Sequence, residues 1–279
     1  MNLAQALQRA QSLGLDRLDA QILLLHTLQR SEHDRAWLLA HNLDPLDAAT
    51  HDVFNCSLQR SLAGEPMAYI TGHQEFYGLR LQVDARVLVP RPDTETLVDW
   101  TLQLLQTCAK ASILDLGTGS GAIALALKHL RPHWQVHAID FSADALAVAQ
   151  ANADALHIDV QLSQGAWLQG VTQRFDAIVS NPPYIAEHDP HLPALRHEPQ
   201  QALTSGTEGM DDLRSIIQQA PARLLEGGWL LLEHGFDQAV AVRNLLHAAG
   251  FMQVQSRCDL AGIARCSGGR WQSSSGGAA

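Results

Sequence analysis

The sequence predicts an α/β fold, a mostly parallel sheet covered on both faces by helices and preceded by a small helical domain. Three observations predict it. From Ser112 onward short apolar runs alternate with helix-like runs. Such alternation implies parallel strands joined by crossover helices. The first of these strands passes into the first helix through a Gly-rich turn, LGTGSG. Residues 1–64, by contrast, read as helix throughout.

The bulk composition sets limits. The chain has 279 residues, enough for one large domain or two modest ones, with 46% hydrophobic and 17% charged residues. No run of eighteen apolar residues is present, so no membrane span is expected. The N-terminal stretch MNLAQALQRAQSLGLDRLDAQ lacks the basic head and apolar centre of a signal peptide. Cys56, Cys108, Cys258 and Cys266 are far apart and form no CxxC, which argues against a disulfide framework or structural zinc and for a reducing cytoplasm. The net charge of −10 weighs against a nucleic-acid substrate, because phosphate-backbone binding relies on Lys and Arg.

In chain order, Leu18, Ile22 and Leu25 have the spacing of one apolar helix face. Ser31 is placed to cap a helix carrying Trp37 and Leu38. Asp44-Pro45 reads as a cap followed by proline at the first helical position, opening a helix that stops at Gly64. Residues 65–92 change character. Tyr69, Ile70, Phe76, Leu79, Leu81, Val83, Val87 and Val89 favour strand, and a hairpin linking two domains is expected. A helix from about Thr94 to Cys108 opens the second domain, 93–270. SILDL, VHAID, DVQLS, FDAIVS and WLLLEHG follow as strands, and MQVQSR with a segment near Arg265 reads as a closing hairpin. Residues 271–279 are Gly/Ser-rich and expected to be disordered.

Two motifs carry chemistry. Gly117-Thr118-Gly119-Ser120-Gly121 gives a GxGxG turn, in which glycine lets the backbone approach a ligand closely. It is neither the GxGxxG of nicotinamide enzymes nor a phosphate loop ending in Lys-Ser/Thr. Asp140 ends the next strand, where a carboxylate can accept from two ribose hydroxyls. A nucleoside without pyrophosphate, S-adenosylmethionine, fits both features. The second motif, Asn181-Pro182-Pro183-Tyr184, follows FDAIVS directly. Two prolines cannot donate to a sheet ladder, so the strand ends there. They fix the backbone that carries the Asn181 amide and the Tyr184 ring, and Pro182 keeps a carbonyl acceptor. One side-chain oxygen, one carbonyl and one ring suit a planar, conjugated NH₂ group, either a carboxamide or an exocyclic base amine. Asn181, Pro182 and Tyr184 are therefore the candidate catalytic residues, and Pro183 completes the substrate grip.

At this point the chain resembles a known family. DLGTGSGAIALAL and FDAIVSNPPYI are similar to class I methyltransferases acting on conjugated amino groups. GEPMAYITGHQEFYGLRLQV, VLVPRPDTETLV and the helical N-terminus narrow the resemblance to the peptide chain release factor glutamine methyltransferases, over roughly residues 1–270. The resemblance implies a Rossmann-like doubly wound sheet, S-adenosylmethionine as cofactor, and methylation of the Gly-Gly-Gln glutamine of class I release factors. It implies that Gly117 to Gly121, Asp140, Trp167 and Asn181 hold the cofactor, that residues 181–184 hold the glutamine, and that 90–95 (PRPDTE) form part of the wall. It also implies that residues 1–64 bind the release factor. Two stretches depart from the family pattern: Ala166 stands where an acidic residue usually precedes the tryptophan, and IARCSGGR is unusual.

Other readings stay open at this level. A base-amine methyltransferase acting on RNA or DNA shares both motifs, and a non-catalytic module that senses S-adenosylmethionine would keep the glycine turn alone. Glu233-His234 ends the WLLLEHG strand at the ligand edge, either as a contact to the cofactor or as a solvated strand end. Pro132 and Pro190 interrupt the closely spaced histidine pairs His129/His133 and His188/His191, and no HExxH occurs, so no metal site is expected.

Overall fold

The computed structural model describes residues 1–273. The chain divides into two compact units, Met1–His73 and Gln74 onward. The first unit holds α1 (Leu3–Ser12), α2 (Arg17–Thr27), α3 (Arg35–Ala40), α4 (Ala48–Leu62) and α5 (Met67–Thr71). Its core is a single cluster that includes Leu3, Leu23, Leu24, Leu25, Leu38, Phe54 and Leu58.

Several N-terminal details differ from the sequence expectation. On α2 the buried stripe is Ala20, Leu23 and Leu24 together with Leu25, whereas Leu18 is 45% exposed. The i, i+3, i+4 face one step round the helix carries the packing. α4 is capped by Asp47, whose carboxylate accepts from the Thr50 N–H at 2.9 Å, and not by Asp44. Pro45 instead bridges to Asn2, and the Leu46 N–H donates to the Met1 carbonyl. Those backbone bonds hold residues 44–46 outside any helix. Asp34 occupies the cap position of α3, and Ser31 takes only a long bond from the His33 N–H. Tyr69 and Ile70, read as strand, lie buried in α5, which Pro66 starts and left-handed Gly72 ends. Strand propensity is weak against a proline start and a glycine stop so close together.

The hairpin is therefore shorter than 65–92. It consists of β1 (His73–Phe76) and β2 (Leu79–Gln82), a two-stranded sheet of its own. Tyr77 and Gly78 both have positive φ, 52° and 77°, as the tight turn between twisted strands requires. A 3₁₀ turn over Pro92–Thr94 leads into α6 (Glu95–Leu104).

The second unit is built on β3 (Ser112–Leu116), α7 (Ala122–Leu130), β4 (Gln135–Asp140), α8 (Ala143–Leu156), β5 (Gln161–Gln164) and β6 (Phe175–Ser180). It continues through α9 (Asp211–Gln219), β7 (Leu224–Glu233), α10 (Ala239–Ala248), β8 (Met252–Cys258) and β9 (Ala264–Arg270). The seven-stranded sheet has the order β5-β4-β3-β6-β7-β9-β8. The pairs from β5 through β7 are parallel, while β9 runs antiparallel to both β7 and β8. Apolar clusters cover both faces. Ile113, Ala177 and Leu231 belong to one, with α6 and α7, and Leu114, Ile178 and Leu230 belong to the other, with α9 and α10. Consecutive residues of one strand thus serve opposite faces, as the period-two pleat demands. The order of strands reverses at β3/β6, and in such sheets ligands bind outside the carboxyl ends at that reversal.

The expected disordered tail lies mostly outside the described residues. Its first residues still follow the sheet: the Trp271 N–H donates to the Gly228 carbonyl at 2.7 Å, and its ring meets Phe251 edge-on.

Candidate active site

Four strand ends converge at the reversal point. β3 runs into the glycine turn, β4 ends at Asp140, β6 passes into residues 181–184, and β7 ends at Glu233. Leu116 is in register with Ser180, and Ser180 with Leu232. The Ser180 hydroxyl donates to the Leu116 carbonyl at 2.7 Å and is fully buried.

The glycine turn is held from behind. The Gly117 and Thr118 N–H groups donate to the Ile139 carbonyl at 2.8 and 3.0 Å. The Thr118 hydroxyl donates to Asp115 Oδ2 at 2.7 Å, and the Ala124 N–H reaches the same oxygen at 3.2 Å. Burial pushes the Asp115 carboxyl up to about 7, against those two donors, and its Oδ1 has no partner. Gly119 has φ +56°, and a Cβ built there would meet nothing within 4 Å, so the crest of the turn is open. At Gly117, φ +69°, a Cβ would lie 3.3 Å from the Trp167 ring. Asp140 Oδ2 accepts from the Gly119 N–H at 2.8 Å, and Oδ1 from the Ser142 N–H at 2.9 Å. Each carboxylate oxygen keeps a lone pair. Burial raises the pKa of Asp140, while these N–H groups oppose the shift.

Residues 181–184 are fixed by groups distant in sequence. Asn181 Nδ2 donates to Thr94 Oγ1 at 3.2 Å. The Tyr184 hydroxyl donates to Glu233 Oε1 at 3.2 Å, and the Tyr184 carbonyl accepts from Gln238 Nε2 at 3.0 Å. Gly209, φ +69°, lies so close that a Cβ there would stand 2.3 Å from the Tyr184 carbonyl oxygen. Burial foremost, and then the Glu233 charge, pushes the Tyr184 phenol up.

Two cavities meet at this edge. The larger, about 270 Å³, is lined by Gly117, Thr118, Gly119, Ser120, Asp140, Trp167, Asn181 and Pro183, together with Thr94, Phe141, Ala166 and Asp212. The smaller, about 140 Å³, is lined by Asn181, Pro182, Tyr184, Ile185, Leu88, Arg91, Leu195, Ala202 and Leu203. Asn181 lines both. Of the glycine turn, Gly121 faces neither cavity, and Glu233 and His234 at the end of β7 are buried and line neither as well. Gly121 stands behind the turn as the left-handed cap of α7, where a Cβ would approach Leu125 at 3.0 Å.

The structure adds residues that the sequence did not single out. Thr94 orients Asn181, although the PRPDTE run had pointed to that segment. Asp212 Oδ1 accepts from Trp167 Nε1 at 3.0 Å, which puts a carboxylate in the wall that Ala166 lines without one. Glu198, buried, accepts from Arg91 Nη2 at 2.5 Å and from the Val89 N–H at 3.2 Å. That pair ties two wall segments of the smaller cavity together. Nothing local in the sequence marks Asp212 or Glu198, because each acts on a residue far along the chain.

Known proteins match this architecture in both units. The family model "Methyltransferase small domain" matches residues 94–249, and "PrmC N-terminal domain" matches residues 2–72. The release factor glutamine methyltransferase of Bordetella pertussis is 50% identical over 260 residues, spanning 92% of this chain and 95% of that protein. The chain belongs to the release factor glutamine methyltransferase family. The enzyme of that name from Xylella fastidiosa (strain Temecula1) is 47% identical over 269 residues, covering 95% and 97% of the two chains. A solved methyltransferase from Pyrococcus furiosus, 17% identical, shares the fold with a TM-score of 0.54 over 77% of this chain and 97% of its own. The chain is thus a class I methyltransferase with a helical N-terminal unit. Among the described residues no helix is long and apolar enough to cross a membrane.

Proposed function

We propose that this methyltransferase transfers a methyl group from S-adenosylmethionine to the side-chain amide nitrogen of the Gly-Gly-Gln glutamine of class I release factors. The observation that carries the reading is the position of Asn181, in the wall of both cavities at once.

The larger cavity fits the cofactor. Its glycine crest is open, and at Gly117, with φ +69°, a side chain would crowd the Trp167 ring at 3.3 Å. Asp140 is pinned by two backbone N–H groups with lone pairs to spare for a ribose diol. Phe141 and Trp167 give apolar walls for a base and a thioether chain. Gly117 to Ser120, Asp140, Trp167 and Asn181 would hold the cofactor, and Gly121 shapes the turn. The cofactor supplies a sulfonium-activated, electrophilic methyl group.

The protein's own task is to make a poor nucleophile reactive. The lone pair of a carboxamide nitrogen is delocalised, as the ~18–20 kcal/mol rotational barrier of the peptide bond shows. Asn181 Nδ2 is committed to Thr94, which leaves Oδ1 free to accept one N–H of the substrate amide. The Pro182 carbonyl accepts the other, and the Tyr184 ring covers the amide plane. Both acceptors hold the nitrogen with its face toward the larger cavity. They bind a pyramidal, more basic nitrogen better than a flat one, which is differential stabilisation of the transition state. Positioning of this kind is worth up to about 7–11 kcal/mol in favourable cases. Asn181 is no base, and the proton leaves to water after transfer.

In this reading residues 1–64 engage the release factor, the enzyme works in the cytoplasm, and nucleic acid is not a direct substrate. The net charge of −10 supports the last point against a base-amine reading. The test is transfer of a labelled methyl group to purified release factor, tRNA and DNA in separate reactions, with a release factor whose loop glutamine is replaced as control. Label on the unaltered release factor alone is expected. Label on nucleic acid alone, or on the altered release factor, overturns the assignment.

A further inference from the structure

Behind the amide grip lies a carboxylate that the mechanism above leaves unused. Glu233 closes β7, is 1% exposed, and pairs in register with Cys266 of β9. Its Oε1 accepts from the Tyr184 hydroxyl at 3.2 Å. Its Oε2 is buried without a closed hydrogen bond, although the Thr94 hydroxyl stands near enough to favour the ionised form. Thr94 in turn is the residue that takes the Asn181 amide N–H. One buried carboxylate therefore holds the phenol directly and lies beside the hydroxyl that takes the amide N–H, with one of its own oxygens left without a partner.

We infer that Glu233 is a positioning residue for methyl transfer, whose charge fixes the direction of the Thr94 hydroxyl and thereby aims Asn181 Oδ1 at the substrate. This rests on the functional reading above. A Thr hydroxyl has one proton and two acceptor sites. When Glu233 is ionised it can only accept, so the Thr94 proton turns toward it. Thr94 Oγ1 then presents a lone pair to Asn181 Nδ2, and the amide oxygen is left for the substrate. When Glu233 is protonated, its own O–H needs an acceptor, and Thr94 Oγ1 is the nearby one. The Thr94 proton is then released toward Asn181, where it favours the amide oxygen and competes with the substrate.

The surroundings let this proton matter near neutrality. Burial raises Glu233 to about 7, with the Thr94 and Tyr184 hydroxyls and Arg265 opposing and Asp93 adding to the shift. Arg265 is shared between Asp93 and Asp259, at 3.3 and 3.1 Å. Burial lowers the pKa of His234 and raises those of the Cys266 thiol and the Tyr184 phenol. Asp115 also titrates near 7, but it sits behind the glycine turn and contacts Thr118 and Ala124 instead.

The test follows the Asn181 side-chain amide by ¹⁵N NMR from acid to alkaline pH, alongside the pH profile of methyl transfer to a release factor. In the wild type the Asn181 resonance is expected to move with a midpoint near 7, and kcat to fall about tenfold per pH unit below it. Glu233→Gln should remove both transitions, whereas Asp115→Asn should keep them. Should Glu233→Gln not fold, Thr94→Val must abolish the Asn181 transition and Thr94→Ser must restore it. A pH-independent Asn181 amide, or a transition that survives in Glu233→Gln or Thr94→Val, overturns the inference. Absence of glutamine methylation at every pH strikes instead at the functional reading, and the NMR arm still decides the role of Glu233.

Discussion

The Ser180 hydroxyl donates to the Leu116 carbonyl at 2.7 Å, a buried link between the strand that launches the glycine turn and the strand that launches residues 181–184. Two motifs 60 residues apart are thereby held at one register position, Leu116 against Ser180. Ser180→Ala removes the donor and leaves one acceptor site of that carbonyl unmet. The expected cost is about 1–3 kcal/mol of stability, read as a lower urea midpoint. A loss of methyl transfer at saturating substrates should accompany it, because the two motifs lose their common clamp.

Asp140 is predicted to carry cofactor affinity and little else. Asp140→Asn keeps the size of the side chain but loses a carboxylate oxygen that now accepts from a backbone N–H. Hydrogen bonds to charged groups are worth about 1.5–3 kcal/mol, so roughly 10- to 100-fold weaker binding of S-adenosylmethionine is expected by calorimetry. Unchanged affinity would remove Asp140 from the site.

Gly209 is predicted to matter through Tyr184. At φ +69°, a Cβ on Gly209 would stand 2.3 Å from the Tyr184 carbonyl oxygen, which backbone movement alone can relieve. Overpacking of this kind costs about 1–3 kcal/mol, with about 1–2 kcal/mol more for a left-handed residue other than glycine. Gly209→Ala should therefore depress methyl transfer strongly while cofactor affinity stays near the wild-type value.

A pH effect on stability follows from Asp115. Its carboxyl is pushed up to about 7 by burial, from an ordinary value of 3.8. Between those values the native state holds a proton that the unfolded chain has released. The contribution is thus fully present below about 4 and is lost as the pH rises through about 7. Asp115→Asn should flatten that part of the dependence, seen as a smaller drop in urea midpoint between pH 4.5 and pH 7.5 than in the wild type.

The parts of the site legible in the sequence are those where the backbone itself is unusual. Gly117, Gly119 and Gly121 announce a turn with positive φ, Pro182 and Pro183 announce a strand end, and Asp140 follows from its place after the next strand. The alternation of apolar runs gave the parallel sheet for the same local reason. What stayed hidden depends on contacts that only folding makes. Thr94 meets Asn181 across 87 residues, Asp212 meets Trp167 across 45, and Glu198 meets Arg91 across 107. In the helical unit the errors were of another kind. Pro66 and Gly72 overrode the strand preference of Tyr69 and Ile70, and pairing of Pro45 with Asn2 moved the start of α4 to Asp47.

The most direct test is single-turnover methyl transfer by Asn181→Ala, set beside calorimetric binding of S-adenosylmethionine to the same variant. Loss of a preorganised contact of this type costs about 10²–10³ in rate, or ~2.7–4 kcal/mol. The account predicts at least that loss, with a far smaller fall in cofactor affinity, because Asn181 is one of several residues that line the larger cavity. A variant that still methylates release factor at the normal rate would contradict it.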